Sequence, residues 1–219
     1  LRVFTEILAP SCLSTDHPSY LAFIPSAPSE HATLFDLVVG ASAIYGGSWV
    51  EGAGAVFAEN QALRWISDLA KLPQSAGGVF VQGGTIGNLS ALVAARKYAQ
   101  KSHPEIKRWA VACSSEAHSS IASATEIMDV DLIKVPVQAD GIMRGADVKA
   151  EIDKYRGQNS DRDICAIVAT SGTTNLGIID DLPSIGDVAN KHKIWFHVDG
   201  AYGLAGLANE ETRKLFAGV

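Results

Sequence analysis

Five short apolar runs, at residues 79–81, 109–113, 132–135, 164–169 and 194–198, alternate with longer stretches of helical periodicity, and this alternation restricts the fold more than any other feature of the chain. Short runs that are apolar at nearly every position, rather than at every second one, read as strands buried on both faces. Between them, Leu89–Gln100, Ser119–Met128, Gly145–Arg156 and Leu182–Lys191 carry the spacing of helices. Asp181 as a cap and Pro183 in the first turn mark the start of the last one. Strand and helix in strict alternation give βαβ units, so the expected class is α/β, with helices flanking a mainly parallel sheet.

The front of the chain follows another pattern. Pro10, Pro18, Pro25 and Pro28, with little alternation around them, predict extended loop and short helix, followed by one amphipathic helix over Glu59–Lys71 with Leu63, Ile66 and Leu69 on its apolar side. We therefore divide the chain into an N-terminal arm and helical segment, 1–70, and an α/β portion, 71–219.

The ends of the apolar runs hold the chemistry. Run 194–198 delivers Asp199 into a turn of small residues, Gly200, Ala201 and Gly203. An Asp in that place can cap a helix or form a turn. Buried, it needs a cationic partner, and a protonated pyridine nitrogen is one that would make the ring an electron sink. Phe80 and Val81 are expected to close a strand that runs through Gly83, Gly84 and Gly87 into a helix N-terminus, where free N–H groups and the positive end of the helix dipole can bind phosphate and Thr85 can add a hydroxyl. A glycine turn of this kind is equally compatible with a purely structural role. The pattern is neither GxGxxG nor a Walker loop, which disfavours the common nucleotide folds.

His118 falls at a strand-to-helix junction, where an imidazole can be a cap, a solvated surface group or a group lying flat on an aromatic cofactor. Run 164–169 breaks into a hydroxyl-rich loop with Thr170, Ser171, Thr173 and Thr174. The glycine loop, His118, Thr170 and Asp199 all follow the carboxyl ends of apolar runs, and in an open α/β sheet ligands bind at that edge.

Six segments in order resemble the pyridoxal 5'-phosphate (PLP)-dependent group II decarboxylases of fold type I, which include aromatic-L-amino-acid and glutamate decarboxylases. They are HPSYLAFIPSAPS at 17–29, GGSW at 46–49, GGTIGNLSALVAAR at 83–96, EAHSSI at 116–121, ATSGTTNLG at 169–177 and HVDGAYG at 197–203. The resemblance implies a seven-stranded-type, mainly parallel sheet, incomplete in this chain. It implies that Gly84 and Thr85 hold the cofactor phosphate, that His118 stacks on the pyridine ring, that Thr170 and Ala201 contact the ring, and that Asp199 pairs with its nitrogen. Asp199 and His118 are then the catalytic pair. Phe23, Ile24, Pro25 and Ser26 would face the substrate side chain, although a proline-stiffened packing arm accounts for the same residues.

The activity implied is decarboxylation of an L-amino acid to the amine and carbon dioxide, in a homodimer with the active site at the subunit interface. Where aromatic-amino-acid decarboxylases usually carry a bulky aromatic residue, this chain has Gly47, which sets an aromatic substrate in question. The family's Schiff-base lysine would fall roughly a dozen residues past Val219, and Lys191, Lys193 and Lys214 do not match its motif, so we expect the front part of a longer enzyme. Aminotransferases and lyases share the phosphate loop and the Asp, and a non-catalytic fragment that only binds PLP or phosphate also fits.

Composition narrows the partners. A net charge of −6 offers no basic footprint for nucleic acid or an anionic membrane, and no apolar stretch reaches the ~18 residues of a span. Cys12, Cys113 and Cys165 are odd in number and widely spaced, which argues for a reducing compartment, and we expect the cytoplasm.

Overall fold

The computed structural model describes every residue except Pro25 and Asn159. Four of the five apolar runs form one parallel sheet, from β1 (Arg108–Ser114), β2 (Asp131–Val135), β3 (Arg162–Thr170) and β4 (Trp195–Asp199), in the order β2-β1-β3-β4. Helices α3 (Gly84–Ser102), α4 (Ser119–Met128), α5 (Gly145–Arg156) and α6 (Leu182–His192) link and flank the strands.

The sheet is buried on both faces, which explains the unbroken apolar runs. On one face Ile133, Val135, Ile164 and Ile167 pack with Val148, Ile152, Leu182 and Ile185 of α5 and α6. On the other, Trp109, Val111 and Val168 pack with Leu92 of α3 and with Ile121 and Met128 of α4. Between β1 and β3 the register shifts at Ala110/Val111, whose partners are Ile164 and Ala166. Cys165 is the extra residue of this bulge, and its thiol donates to the Ala110 carbonyl at 3.3 Å.

Strand order reverses direction between β1 and β3, because the chain moves outward from β1 to β2 and then returns across β1 to β3. Loops diverge at such a switch point and leave a crevice at the carboxyl ends of the two strands.

The structure corrects three expectations. Residues 79–81 form no strand: Val79 and Phe80 are exposed and the segment runs as irregular chain into α3. The helix after it starts at Gly84, five residues before the first apolar position used to place it. The front third is more helical than its prolines suggest: α1 covers Glu30–Ser42, and the helix expected over Glu59–Lys71 is the later half of α2, which begins at Trp49 and ends at Leu69. Ser29 caps α1 by accepting from Ala32 N–H, and α2 is interrupted at Gly52.

The chain divides into two compact units, Leu1–Ala62 and Leu63–Val219. In the first, α1 buries no residue, and Leu34, Phe35, Leu37, Val38 and Val39 are exposed. Among the described residues no helix is long and apolar enough to cross a membrane.

Candidate active site

The second unit treats the two edges of its sheet differently. At the amino edge, charges are paired: Arg108 binds Asp131 at 2.7 Å, Tyr155 donates to the same carboxylate at 2.8 Å, and Arg156 binds Asp163 at 2.7 Å. At the carboxyl edge, where the site was expected, Asp199 is buried and no ion pair reaches it among the described residues. Buried polar groups normally find partners, so this contrast locates the edge that is built for something besides stability.

Thr170 and Asp199 are neighbours on the last rung between β3 and β4. The Ser171 N–H continues the ladder by donating to the Asp199 carbonyl at 2.8 Å. Beyond the rung the two chain segments touch through their backbones. Gly203 N–H donates to the Ser171 carbonyl at 3.0 Å, and a side chain at Gly203 would collide with that carbonyl. The small residues after Asp199 are therefore required by close approach.

The glycine loop meets the same turn. Gly83 has φ +89° and ψ 163°, a conformation almost confined to glycine, and it opens α3 with no side-chain cap on its N–H groups. A Cβ on Gly84 would stand 3.4 Å from the Cβ of Ala201. Thr85 lies exposed in the first turn of α3. Thus Gly84, Thr85, Ala201, Asp199 and Thr170 come to one place.

His118 caps α4, its Nδ1 accepting from Ser120 N–H at 3.2 Å and lying 2.9 Å from Ser120 Oγ. The capping role and a cofactor role are compatible, since capping engages Nδ1 alone.

The Asp199 carboxylate accepts from Ala201 N–H at 3.2 Å through Oδ1 and from Asn88 Nδ2 at 2.9 Å through Oδ2. Asn88 was not singled out from the sequence, yet its buried amide also contacts Ser120 Oγ at 3.0 Å and His197 Nε2 at 2.8 Å. One signal was available: Asn88, Leu92 and Ala95 are the buried positions of α3, at helical spacing, so an amide interrupts an apolar stripe. Burial pushes the His197 imidazole below its ordinary range, with Asp199 pulling it back up.

Two hydroxyls complete the picture. Thr170 Oγ1 and Ser171 Oγ are buried and have no hydrogen-bond partner among the described residues. Orphaned hydroxyls, an uncapped helix N-terminus and a buried carboxylate without a cation fit a group that is anionic at one end and carries a protonatable ring nitrogen at the other. The residues present match what PLP requires.

In the first unit, Phe23 and Ile24 are exposed, Phe23 with a positive φ of 58°, and Ser26 is exposed as well. Pro25 lies outside the described residues. At Gly47, a Cβ would stand 2.5 Å from the Tyr45 ring.

An α/β unit with a carboxylate, a phosphate-type helix terminus and a capping histidine around a switch point defines the class of cofactor-dependent enzymes that work at a sheet's carboxyl edge. The profile of the pyridoxal-dependent decarboxylase conserved domain matches residues 2–219, and the chain belongs to that family. It is 34% identical over 207 residues to L-2,4-diaminobutyrate decarboxylase of Rhizobium meliloti, covering 93% of this chain and 41% of that protein. It is 29% identical to aromatic-L-amino-acid decarboxylase of Bacillus atrophaeus, covering 93% of this chain and 42% of the relative. The chain thus spans less than half the length of these relatives.

Among solved structures, the glutamate decarboxylase domain of diaminobutyrate-pyruvate transaminase and L-2,4-diaminobutyrate decarboxylase from Vibrio parahaemolyticus superposes with a TM-score of 0.87 at 28% identity, over 98% of this chain and 49% of that one. Oryza sativa TDC, solved with PLP and tryptamine, superposes with a TM-score of 0.90 at 26% identity, over 99% of this chain and 47% of that one. The fold is that of the large domain of fold type I, present in part.

Proposed function

We propose that the protein of which this chain is part is a PLP-dependent decarboxylase that converts an L-amino acid to its amine and carbon dioxide. The observation that carries the reading is Asp199: a buried carboxylate with no cation among the described residues, at the last rung of the sheet, beside the glycine N-terminus of α3.

Each residue of the site then has a task. Gly84 and Thr85 would hold the cofactor phosphate, through N–H groups at the start of α3 and the Thr85 hydroxyl. Asp199 would face the pyridine nitrogen and keep it protonated. His118 would lie against the ring face, and Thr170, with its unpartnered hydroxyl, and Ala201 would contact the ring. PLP, when bound, supplies an electron sink for the pair released as the carboxyl group leaves. The residues around it would fix the angle at which this happens, and Asp199 would hold one proton on the ring nitrogen.

Phe23, Ile24, Pro25 and Ser26 are the residues we assign to the substrate side chain, and the lysine that bonds to PLP is to be sought past Val219. The family resemblance supports a homodimer with the active site at its interface, and three cysteines without a disulfide support a cytoplasmic setting.

The test uses the full-length protein, incubated with PLP and reduced with borohydride to trap an imine, followed by intact mass and product analysis. Gain of one cofactor mass, with amine and carbon dioxide as products, is the expected result. A keto acid product would place the enzyme among the aminotransferases, and no adduct would leave a protein that binds without chemistry.

A further inference from the structure

Asn88 joins groups that were assigned separately above. Its Nδ2 lies 2.9 Å from Asp199 Oδ2 and 3.0 Å from Ser120 Oγ, and its Oδ1 lies 2.8 Å from His197 Nε2. An ionised carboxylate can only accept, so the amide nitrogen has to face Asp199; the reverse orientation would set two acceptors against each other. Both Nδ2 hydrogens are then used, one on Asp199 and one on Ser120. The amide oxygen has to receive its hydrogen from His197, which fixes that imidazole as the Nε2–H tautomer.

The chain of donors continues. Ser120 Oγ accepts from Asn88 and has its own hydrogen left for His118 Nδ1, 2.9 Å away, which also accepts from the Ser120 N–H. A neutral His118 therefore carries its proton on Nε2. Asn88 and Ser120 are both buried, so turning either side chain leaves a polar group unpaired at the centre of the network.

We infer that Asn88 is a positioning residue for the cofactor site, whose side-chain amide fixes the carboxylate of Asp199 and, through Ser120, the imidazole of His118 in one hydrogen-bond chain. This rests on the reading of Asp199 as the partner of the ring nitrogen and of His118 as the group on the ring face. A neutral donor suits the task. With Asn88 on Oδ2 and Ala201 N–H on Oδ1, the carboxylate plane is held at both oxygens, while its charge and remaining lone pairs stay available for a protonated ring nitrogen. A Lys or Arg in the same place would neutralise that charge and compete with the ring.

The experiment uses the full-length protein and PLP labelled with nitrogen-15 in the ring, reading the nitrogen chemical shift and the cofactor dissociation constant. Asn88→Leu removes the hydrogen bonds at similar volume, and Asn88→Ser, smaller and tolerated in a helix, carries the test if the leucine variant does not fold. Asn88 variants are expected to bind PLP about ten- to a hundredfold more weakly, the scale of one charge-assisted hydrogen bond, and to shift the ring nitrogen toward its unprotonated signal. In an Asp199→Ala background the same substitution should cost less than it does in the wild-type protein, leaving only the part carried through Ser120 and His118.

Wild-type affinity and nitrogen signal in the Asn88 variants, with Asp199→Ala losing both, would overturn the positioning role and leave the reading of Asp199 intact. Losses that add in full in the double variant would also overturn it, since Asn88 would then not act through Asp199. If Asp199→Ala itself keeps wild-type affinity and signal, the reading of Asp199 fails and the role of Asn88 fails with it.

Discussion

Asp180 grips Thr170 from both sides of its peptide: Asp180 Oδ2 accepts from Thr170 N–H at 2.7 Å, and the Thr170 carbonyl accepts from Asp180 N–H at 3.0 Å. The other carboxylate oxygen accepts from Met143 N–H at 2.9 Å. One side chain thereby ties the hydroxyl-rich loop and the segment leading into α5 to the end of β3. Asp180→Ala would leave two buried N–H groups unpaired, and at about 1–3 kcal/mol each it should lower stability by about 2–6 kcal/mol. Asp180→Asn, which keeps one acceptor, should lose roughly half of that. Urea unfolding of the full-length variants measures both, and a change below about 0.5 kcal/mol for the alanine variant would contradict the clamp.

Gly83 should be irreplaceable for a reason confined to its backbone. No atom of the described residues lies within 4 Å of where its Cβ would stand, so alanine meets only the strain of φ +89°. Gly83→Ala should cost about 1–3 kcal/mol or be relieved by a turn of the loop that re-aims the first N–H groups of α3. In either case PLP should lose more affinity than pyridoxal, which lacks the phosphate. Equal losses for the two ligands would show that the loop does not hold phosphate.

These two positions illustrate what the sequence disclosed and what it withheld. Runs such as Ile164–Ala169 were legible as strands because burial on both faces leaves an unbroken apolar string. Run 79–81 has the same composition but stays out of the sheet, since composition records burial propensity and not the presence of a neighbouring strand. Helix α1 was missed for the opposite reason: Leu34–Val39 is apolar nearly all round, so no stripe announces a helix. Within the site, Asp199, His118 and the glycines were visible because each belongs to a local strand-end pattern. Asn88 was not, because its partners Ser120 and Asp199 stand 32 and 111 residues away and no local spacing encodes such contacts.

The cysteines should separate by reactivity. Burial pushes the thiols of Cys113 and Cys165 up to about 12, and Cys165 is further engaged with the Ala110 carbonyl, whereas Cys12 is exposed. Only the thiolate reacts, so maleimide at neutral pH should label Cys12 rapidly and leave the other two untouched until the protein unfolds. Peptide mapping of the labelled protein reads this directly. Fast modification of Cys113 or Cys165 in the folded state would mean that the layer between the sheet and helices α3 and α4 opens far more readily than its packing implies.

His197 should make the site sensitive to mild acid. Its imidazole is half-buried and depressed below the ordinary value of about 6.5, chiefly by desolvation, while Asp199 opposes the shift. A depressed value in the folded state means that the unfolded chain takes up a proton the folded chain refuses. The stabilising contribution is therefore complete above about pH 6.5 and is lost as pH falls through the lowered value. Asp180 shifts the other way: burial raises its carboxyl, so its contribution is complete below the ordinary carboxylate range and declines as pH rises through the raised value. His197→Gln keeps a side-chain N–H that can donate to Asn88 and removes the titration. Urea unfolding between about pH 7 and pH 5 should show the wild-type protein losing stability more steeply than the glutamine variant, by up to about 1.4 kcal/mol for each pH unit between the two imidazole values. Parallel profiles for the two proteins would show that His197 titrates as freely in the folded protein as in the unfolded chain.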